Sequence, residues 1–286
     1  MTHFEFFLIK ISLIIIAAIF MIIAVFRVVF SAKVLYEKAI KELEQENYEN
    51  AKKLLSLAIR HKKNNYEALL KLGLVNFKLK DYKKAQDCFS KITKFSPNDF
   101  ISNYNLALCY QLQGEPDKAK DFYEKALLIN ENDYDSCFNL GLINYEDNNF
   151  QNALLLFEKA YSMDSGKTIN LFMIAKCRDI LTDIMTDVDA DSILKEYQKL
   201  ASRPDLPPEF YSAFALAYAK NGRLNESKDA LKKALDRTPD ELSVYKLAAL
   251  HSLIEGDLEN AKASLTIALQ LDPNDEEVYN ILKYTN

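Results

Sequence analysis

The chain has 286 residues, with 36 Lys and Arg set against 41 Asp and Glu, for a formal net charge of -5. That acidic balance gives no electrostatic case for nucleic-acid binding, which normally demands a basic patch or stripe. Only 6 Gly and 7 Pro, with 49% apolar residues, exclude a turn-rich sheet and a disordered chain and suit helices. The 16 Tyr and 17 Phe, with no Trp, point to helices that meet through rings.

In chain order the first element, after a tail over 1–5, is an apolar run over 6–30. Within it only Lys10 and Arg27 are charged. The uncharged stretch from Ile11 to Phe26 rises roughly 24 Å as a helix, and the stems of Lys10 and Arg27 extend it toward both interfaces. This reads as a transmembrane helix. A cleaved signal peptide would want a basic start and a small-x-small site, whereas Met1 to Ile9 holds His3 and Glu5, and Phe30-Ser31-Ala32 is a poor match. Arg27, Lys33, Lys38 and Lys41 follow the span, and Lys10 alone precedes it. The positive-inside rule then places the chain as a single-pass inner (cell) membrane protein with its body in the cytoplasm; an exported body is the alternative.

Beyond the anchor the sequence repeats itself. Stretches starting at Asn47, Asp81, Glu115 and Asn149 align with a constant step of 34 residues, and those at Arg223 and Asp257 repeat the step. Units counted this way begin at Ala32, Tyr66, Phe100, Tyr134, Pro208 and Leu242. Position 8 is small in each: Ala39, Gly73, Ala107, Gly141, Ala215 and Ala249. Position 20 is Ala51, Ala85, Ala119, Ala153, Ser227 and Ala261, and position 24 is always a ring or Leu. Small residues let two helices approach, the large one fills the space beside them, and Pro97, Pro239 and Pro273 stop the second helix.

This period and pattern resemble the tetratricopeptide repeat, over nearly everything after the anchor. The resemblance implies an all-α fold, a right-handed superhelix (α-solenoid) of about seven helical hairpins. Four regular units fill 32–167 and two more fill 208–275. Between them 168–207 reads as a degenerate unit with a longer acidic loop that hinges or offsets the four units before it from the two after it. Residues 276–286 make a capping helix, since terminal repeats need a covered edge.

In this family the first helix of each hairpin lines the inner face. Some relatives grip a carboxylate there with Lys and Asn, but here position 9 is apolar in all six regular units. The corresponding strip is Tyr36, Leu70, Leu74, Phe77, Tyr104, Leu108, Phe138, Leu142, Tyr145 and Phe172. Such a groove suits a protein partner that offers an amphipathic helix or an extended hydrophobic segment.

Chemistry is sparse. Cys88, Cys109, Cys137 and Cys177 form no C-x-x-C pair, and Ser165 to Thr168 lacks the earlier glycine and strand of a phosphate loop. Asp187, Asp189 and Asp191 lack the Gly and Glu of a calcium loop. The sequence therefore reads as a non-enzymatic scaffold without cofactor, metal or small-molecule substrate, one that holds partners beside the bilayer during assembly or stabilisation of an envelope complex. The alternatives are an import or chaperone receptor and a non-catalytic subunit of an enzyme complex.

Overall fold

The structure, a computed structural model, describes residues 3–62, 65–184 and 190–284, which hold fifteen α-helices and no strand. It divides into two compact units, Met1–Ser136 and Cys137–Asn286. The first contains α1 (His3–Glu44), α2 (Tyr48–His61), α3 (Tyr66–Lys78), α4 (Tyr82–Phe95), α5 (Phe100–Leu112) and α6 (Pro116–Ile129). The boundary falls within α7 (Tyr134–Glu146). The second unit continues through α8 (Phe150–Met163), α9 (Thr168–Ile184), α10 (Ala190–Leu200), α11 (Phe210–Lys220) and α12 (Leu224–Arg237). It ends with α13 (Leu242–Ile254), α14 (Leu258–Leu271) and α15 (Glu276–Tyr284).

Tail, apolar run and first repeat helix were expected as separate segments, but α1 joins them in one run of 42 residues. Nothing in the sequence interrupts it, because no Gly or Pro occurs before Gly73. Along α1, Ile15, Ile16, Ile19, Phe20, Met21 and Ile22 are each at least 49% exposed. Among the described residues no helix is long and apolar enough to cross a membrane. The side chains of Lys10 and Arg27, and most of the acidic run from Asp183 to Asp191, lie outside the described residues.

Five of the hairpins close on a size match. A Cβ on Gly73 would lie 2.7 Å from Cε1 of Phe89, and one on Gly141 would lie 2.7 Å from Cε1 of Phe157. Where position 24 is the smaller Leu55, Leu231 or Leu265, position 8 is Ala39, Ala215 or Ala249, all of them buried. Close packing tolerates a surplus methyl group poorly, and these five pairs respect that; the α5–α6 hairpin instead sets Ala107 against the Tyr123 ring, both buried.

The turns inside the six regular hairpins are equally regular. Asp81 N–H donates to the Asn76 carbonyl at 2.8 Å, Asn149 to Asn144 at 2.8 Å and Asp257 to Ser252 at 2.8 Å. This six-to-one bond closes a helix end only when the residue before the donor is left-handed. Gly114, Gly222 and Gly256 supply that conformation freely, whereas Glu46, Lys80 and Asn148 adopt it at φ 56°, 60° and 59°. The tight turn overrides the steric preference of those three side chains.

Residues 168–207, read as a stretched unit whose loop hinges or offsets the array, pack their helices into the core of the second unit. Phe172, Ile174 and Cys177 of α9 and Ile193, Leu194 and Tyr197 of α10 share one core with Ala153 and Phe157 before them and Phe210, Phe214 and Leu231 after them. Of the two helices, α9 is lengthened to 17 residues while α10 has only 11, and both join the core. Outside this core, Arg178 reaches Glu158 at 2.8 Å and Glu196 at 2.7 Å, strapping α8, α9 and α10 together.

One buried polar pair replaces the usual small contact. Ser227, standing where five units carry Ala, donates to the Ala215 carbonyl at 2.6 Å and so accepts Nε2–H of His251 at 2.8 Å. Burial, with Lys228 nearby, holds the His251 pKa below its ordinary value, while Glu255 opposes this. A depressed folded-state pKa gives stability that is complete above about pH 6.5 and is lost as pH falls through the folded value. The urea midpoint of the full chain should therefore drop between pH 7.5 and 5.5, still above the carboxylate range. Equilibrium unfolding of His251→Gln, which keeps a neutral donor to Ser227, should show a flatter profile.

Candidate protein-binding faces

The face of interest belongs to the first helix of each hairpin, where apolar side chains lean on the core without being covered by it. In the first unit Tyr36 packs against the core around Leu55 and Ala58. Leu70, Leu74 and Phe77 pack against Ala85, Phe89 and Leu106, and all remain half-exposed. Tyr104 stacks on Phe100 at 6.1 Å and meets Tyr123 edge-on at 6.0 Å; burial, with Asp135 and Asp133 nearby, pushes its phenol to about 12. Leu108 is half-buried, and Ile101 and Leu112 beside it on α5 are 44% and 50% exposed.

In the second unit Phe138, Leu142 and Tyr145 are half-buried against the core, and the Lys176 ammonium sits 5.1 Å from the Tyr145 ring. Phe172 departs from its expected place in the groove. It is buried between Tyr197 of α10 at 6.5 Å and Phe210 of α11 at 6.1 Å, whose rings close over it. It is a core residue.

These faces carry little reactive chemistry. Burial pushes the Cys88 thiol to about 11 and those of Cys109 and Cys177 to about 12, which keeps the thiolate out of reach at neutral pH. Among the described residues no three His, Cys, Asp or Glu side chains converge in a way that could hold a metal ion.

Family signatures described as tetratricopeptide repeat match residues 42–102, 102–133, 134–167 and 212–276. The chain belongs to the tetratricopeptide-repeat family. The hairpins above are its repeats, and the stretched unit is the one region between the first and last repeat that no signature covers. No curated protein matches the chain by sequence.

Solved structures agree on the fold of this repeat protein. A tetratricopeptide repeat protein from Parabacteroides merdae is 20% identical over 89% of this chain and 98% of its own, with a TM-score of 0.61. A chain of the APC/C hetero-tetramer Cut9-Hcn1 is 17% identical over 90% of this chain and 54% of its own, with a TM-score of 0.62. PilF of Pseudomonas aeruginosa is 16% identical over 77% and 97%, with a TM-score of 0.58. At these identities the likeness is one of fold.

The repeat protein has a further apolar opening, outside the strip expected from sequence. A cavity of about 240 Å³ lies within the second unit between α11, α13 and α15, lined by Leu216, Leu247, Leu250, Leu253 and Ile281. Leu216 and Leu250 are 40% and 46% exposed, and Ile254 nearby on α13 is 53% exposed. Position 9 was read as apolar in every regular unit, which was the available signal. The cavity itself depends on α15, whose packing no repeat alignment describes.

Proposed function

We propose that this tetratricopeptide-repeat chain is a membrane-anchored scaffold that holds partner proteins on the first-helix faces of its hairpins. The observation that carries this reading is the row of half-exposed apolar side chains in the first unit: Tyr36, Leu70, Leu74, Phe77, Tyr104 and Leu108. Core packing alone would bury these residues, and a polar surface would replace them. A helical or extended hydrophobic segment gains by covering them, and contiguous exposed apolar area on a protein usually marks such a contact.

The anchor would be the apolar part of α1. Its support is the exposure of Ile15 to Ile22 and the charges Lys10 and Arg27 at either end of the uncharged run. The excess of Lys and Arg after the run favours an inner-membrane protein with a cytoplasmic body, working beside the bilayer in assembly or stabilisation of an envelope complex. A non-enzymatic role fits the raised thiol pKa values and the apolar character of these faces.

Cross-linking of the full chain in its native cell, followed by identification of the attached peptides, tests the binding face. Leu108→Asp with Leu142→Asp should remove the partner cross-links while leaving helicity unchanged by circular dichroism. Unchanged cross-links would sink the reading. Resistance of the chain to carbonate extraction tests the anchor separately, and protease access in sealed vesicles tests the side of the membrane.

A further inference from the structure

The last two repeats carry a second surface whose chemistry is more specific than the apolar strip. Its floor is the cavity between α11, α13 and α15, where Leu247 and Leu265 are buried beneath the more open Leu216, Leu250, Leu253 and Ile281. An opening of about 240 Å³ with an almost wholly apolar floor accepts one or two side chains of leucine size.

Its rim is acidic. The first helices α11, α13 and α15 begin on one edge, and each begins with carboxylates: Glu209, then Asp240 and Glu241, then Asp275, Glu276 and Glu277. Glu209, Asp240 and Glu241 line one recess, and Asp275 and Glu276 line another. Among the described residues lining these openings, two cations answer the six carboxylates. Arg237 shares the first recess and lies 4.8 Å over the Tyr211 ring. Lys246 is held between Asp275 at 2.7 Å and Glu277 at 2.8 Å. Oε2 of Glu241 is enclosed and makes no hydrogen bond, while Oε1 receives the hydroxyls of Ser212 and of Ser243, which also lines the cavity. The Glu277 side chain is 71% exposed at the cavity mouth.

We propose that this surface binds an amphipathic helix from a partner protein, with leucine-type anchors in the cavity and a lysine or arginine beside them at the exposed Glu277. The apolar floor removes the anchors from water, and the surplus carboxylates select a basic flank over an acidic one. The site lies on first helices and so deepens the proposed function for the last repeats, but its residues are not those of the first-unit strip.

Fluorescence anisotropy on the full chain in non-ionic detergent tests this with three labelled peptides. One carries leucines at i, i+3, i+4 and i+7 with flanking lysines; the second has Glu for each Lys; the third has Ser for each Leu. The lysine peptide should bind at least about tenfold more tightly than either control, and raising salt from about 0.1 to about 1 M, where the Debye length shrinks from about 10 to about 3 Å, should narrow its lead over the Glu peptide. Leu250→Asp, at a half-exposed position, should weaken it about tenfold without altering helicity. Glu277→Lys should reduce the preference for lysine over glutamate while sparing the need for leucine. Leu108→Asp should change nothing, so failure here is distinct from failure of the first-unit face. Equal binding of the lysine and glutamate peptides, or indifference to Leu250→Asp, would overturn the proposal. So would Leu250-dependent dimerisation of the chain in sedimentation, since a second copy would then be the occupant.

Discussion

Gly73→Ala should destabilise the first unit by about 1–2 kcal/mol, although alanine is the better helix former. In an open helix the exchange gains about 1 kcal/mol from backbone entropy. Here the added methyl would stand 2.7 Å from Cε1, 2.8 Å from Cζ and 3.1 Å from Cδ1 of Phe89. The Phe89 ring is fully buried and cannot swing into solvent. Overpacking of this kind costs about 1–3 kcal/mol and, with three ring atoms too close, falls toward the upper part of that range. The clash therefore outweighs the helix gain.

The decisive measurement is the same substitution in a Phe89→Leu background. Leu at position 24 stands opposite Ala in three other hairpins: Ala39 with Leu55, Ala215 with Leu231 and Ala249 with Leu265. In that background Gly73→Ala should become stabilising by about 0.5–1 kcal/mol, a reversal of sign rather than a mere reduction. Repeat arrays need not unfold in one step, so hydrogen exchange at α3 and α4 amides should accompany urea unfolding of the full chain. A destabilisation that persists unchanged once the ring is replaced by leucine would show that Gly73 answers to something other than Phe89.

The hairpins were legible because one local rule recurs: small at positions 8 and 20, large at 24, at a step of 34. Contacts inside a hairpin are short in sequence, and a period makes them visible. Features that depend on longer range or on unusual backbone were not. Glu46 and Lys80 occupy left-handed turns that Gly114, Gly222 and Gly256 mark at the equivalent point of other units. The glycine signal was thus present in half the units and hidden in the others by side chains that bear the strain. Continuity of α1 follows from the lack of any breaker before Gly73. Phe172 occupies the register of a groove residue, and only the packing of α10 upon α9 takes it inside. The cavity of the last repeats was hidden for the same reason: one wall comes from α15, outside the repeat pattern.

Tyr197→Ala should cost about 3–5 kcal/mol, among the largest losses available in the second unit, while Tyr197→Phe should be neutral or stabilising by about 1 kcal/mol. Tyr197 lies in the segment whose acidic loop suggested a hinge, and a hinge residue would tolerate both changes. Instead its ring is fully buried, 6.5 Å from Phe172, 6.1 Å from Phe210 and 6.3 Å from Phe214. Removing it opens a cavity among rings drawn from α9 and α11, which cannot collapse without moving both helices. The hydroxyl tells the opposite story. It is enclosed and makes no hydrogen bond, and burial pushes its pKa well above the ordinary phenol value. Phenylalanine keeps the packed ring and discards the unmet polar atom, whose desolvation costs about 1–3 kcal/mol. Urea unfolding of both variants, followed by far-ultraviolet circular dichroism, separates the possibilities. A loss below about 1 kcal/mol for Tyr197→Ala would return the stretched unit to the role of a loose joint. A loss for Tyr197→Phe would mean that the hydroxyl is bonded in solution, leaving the packing argument to stand on the alanine variant.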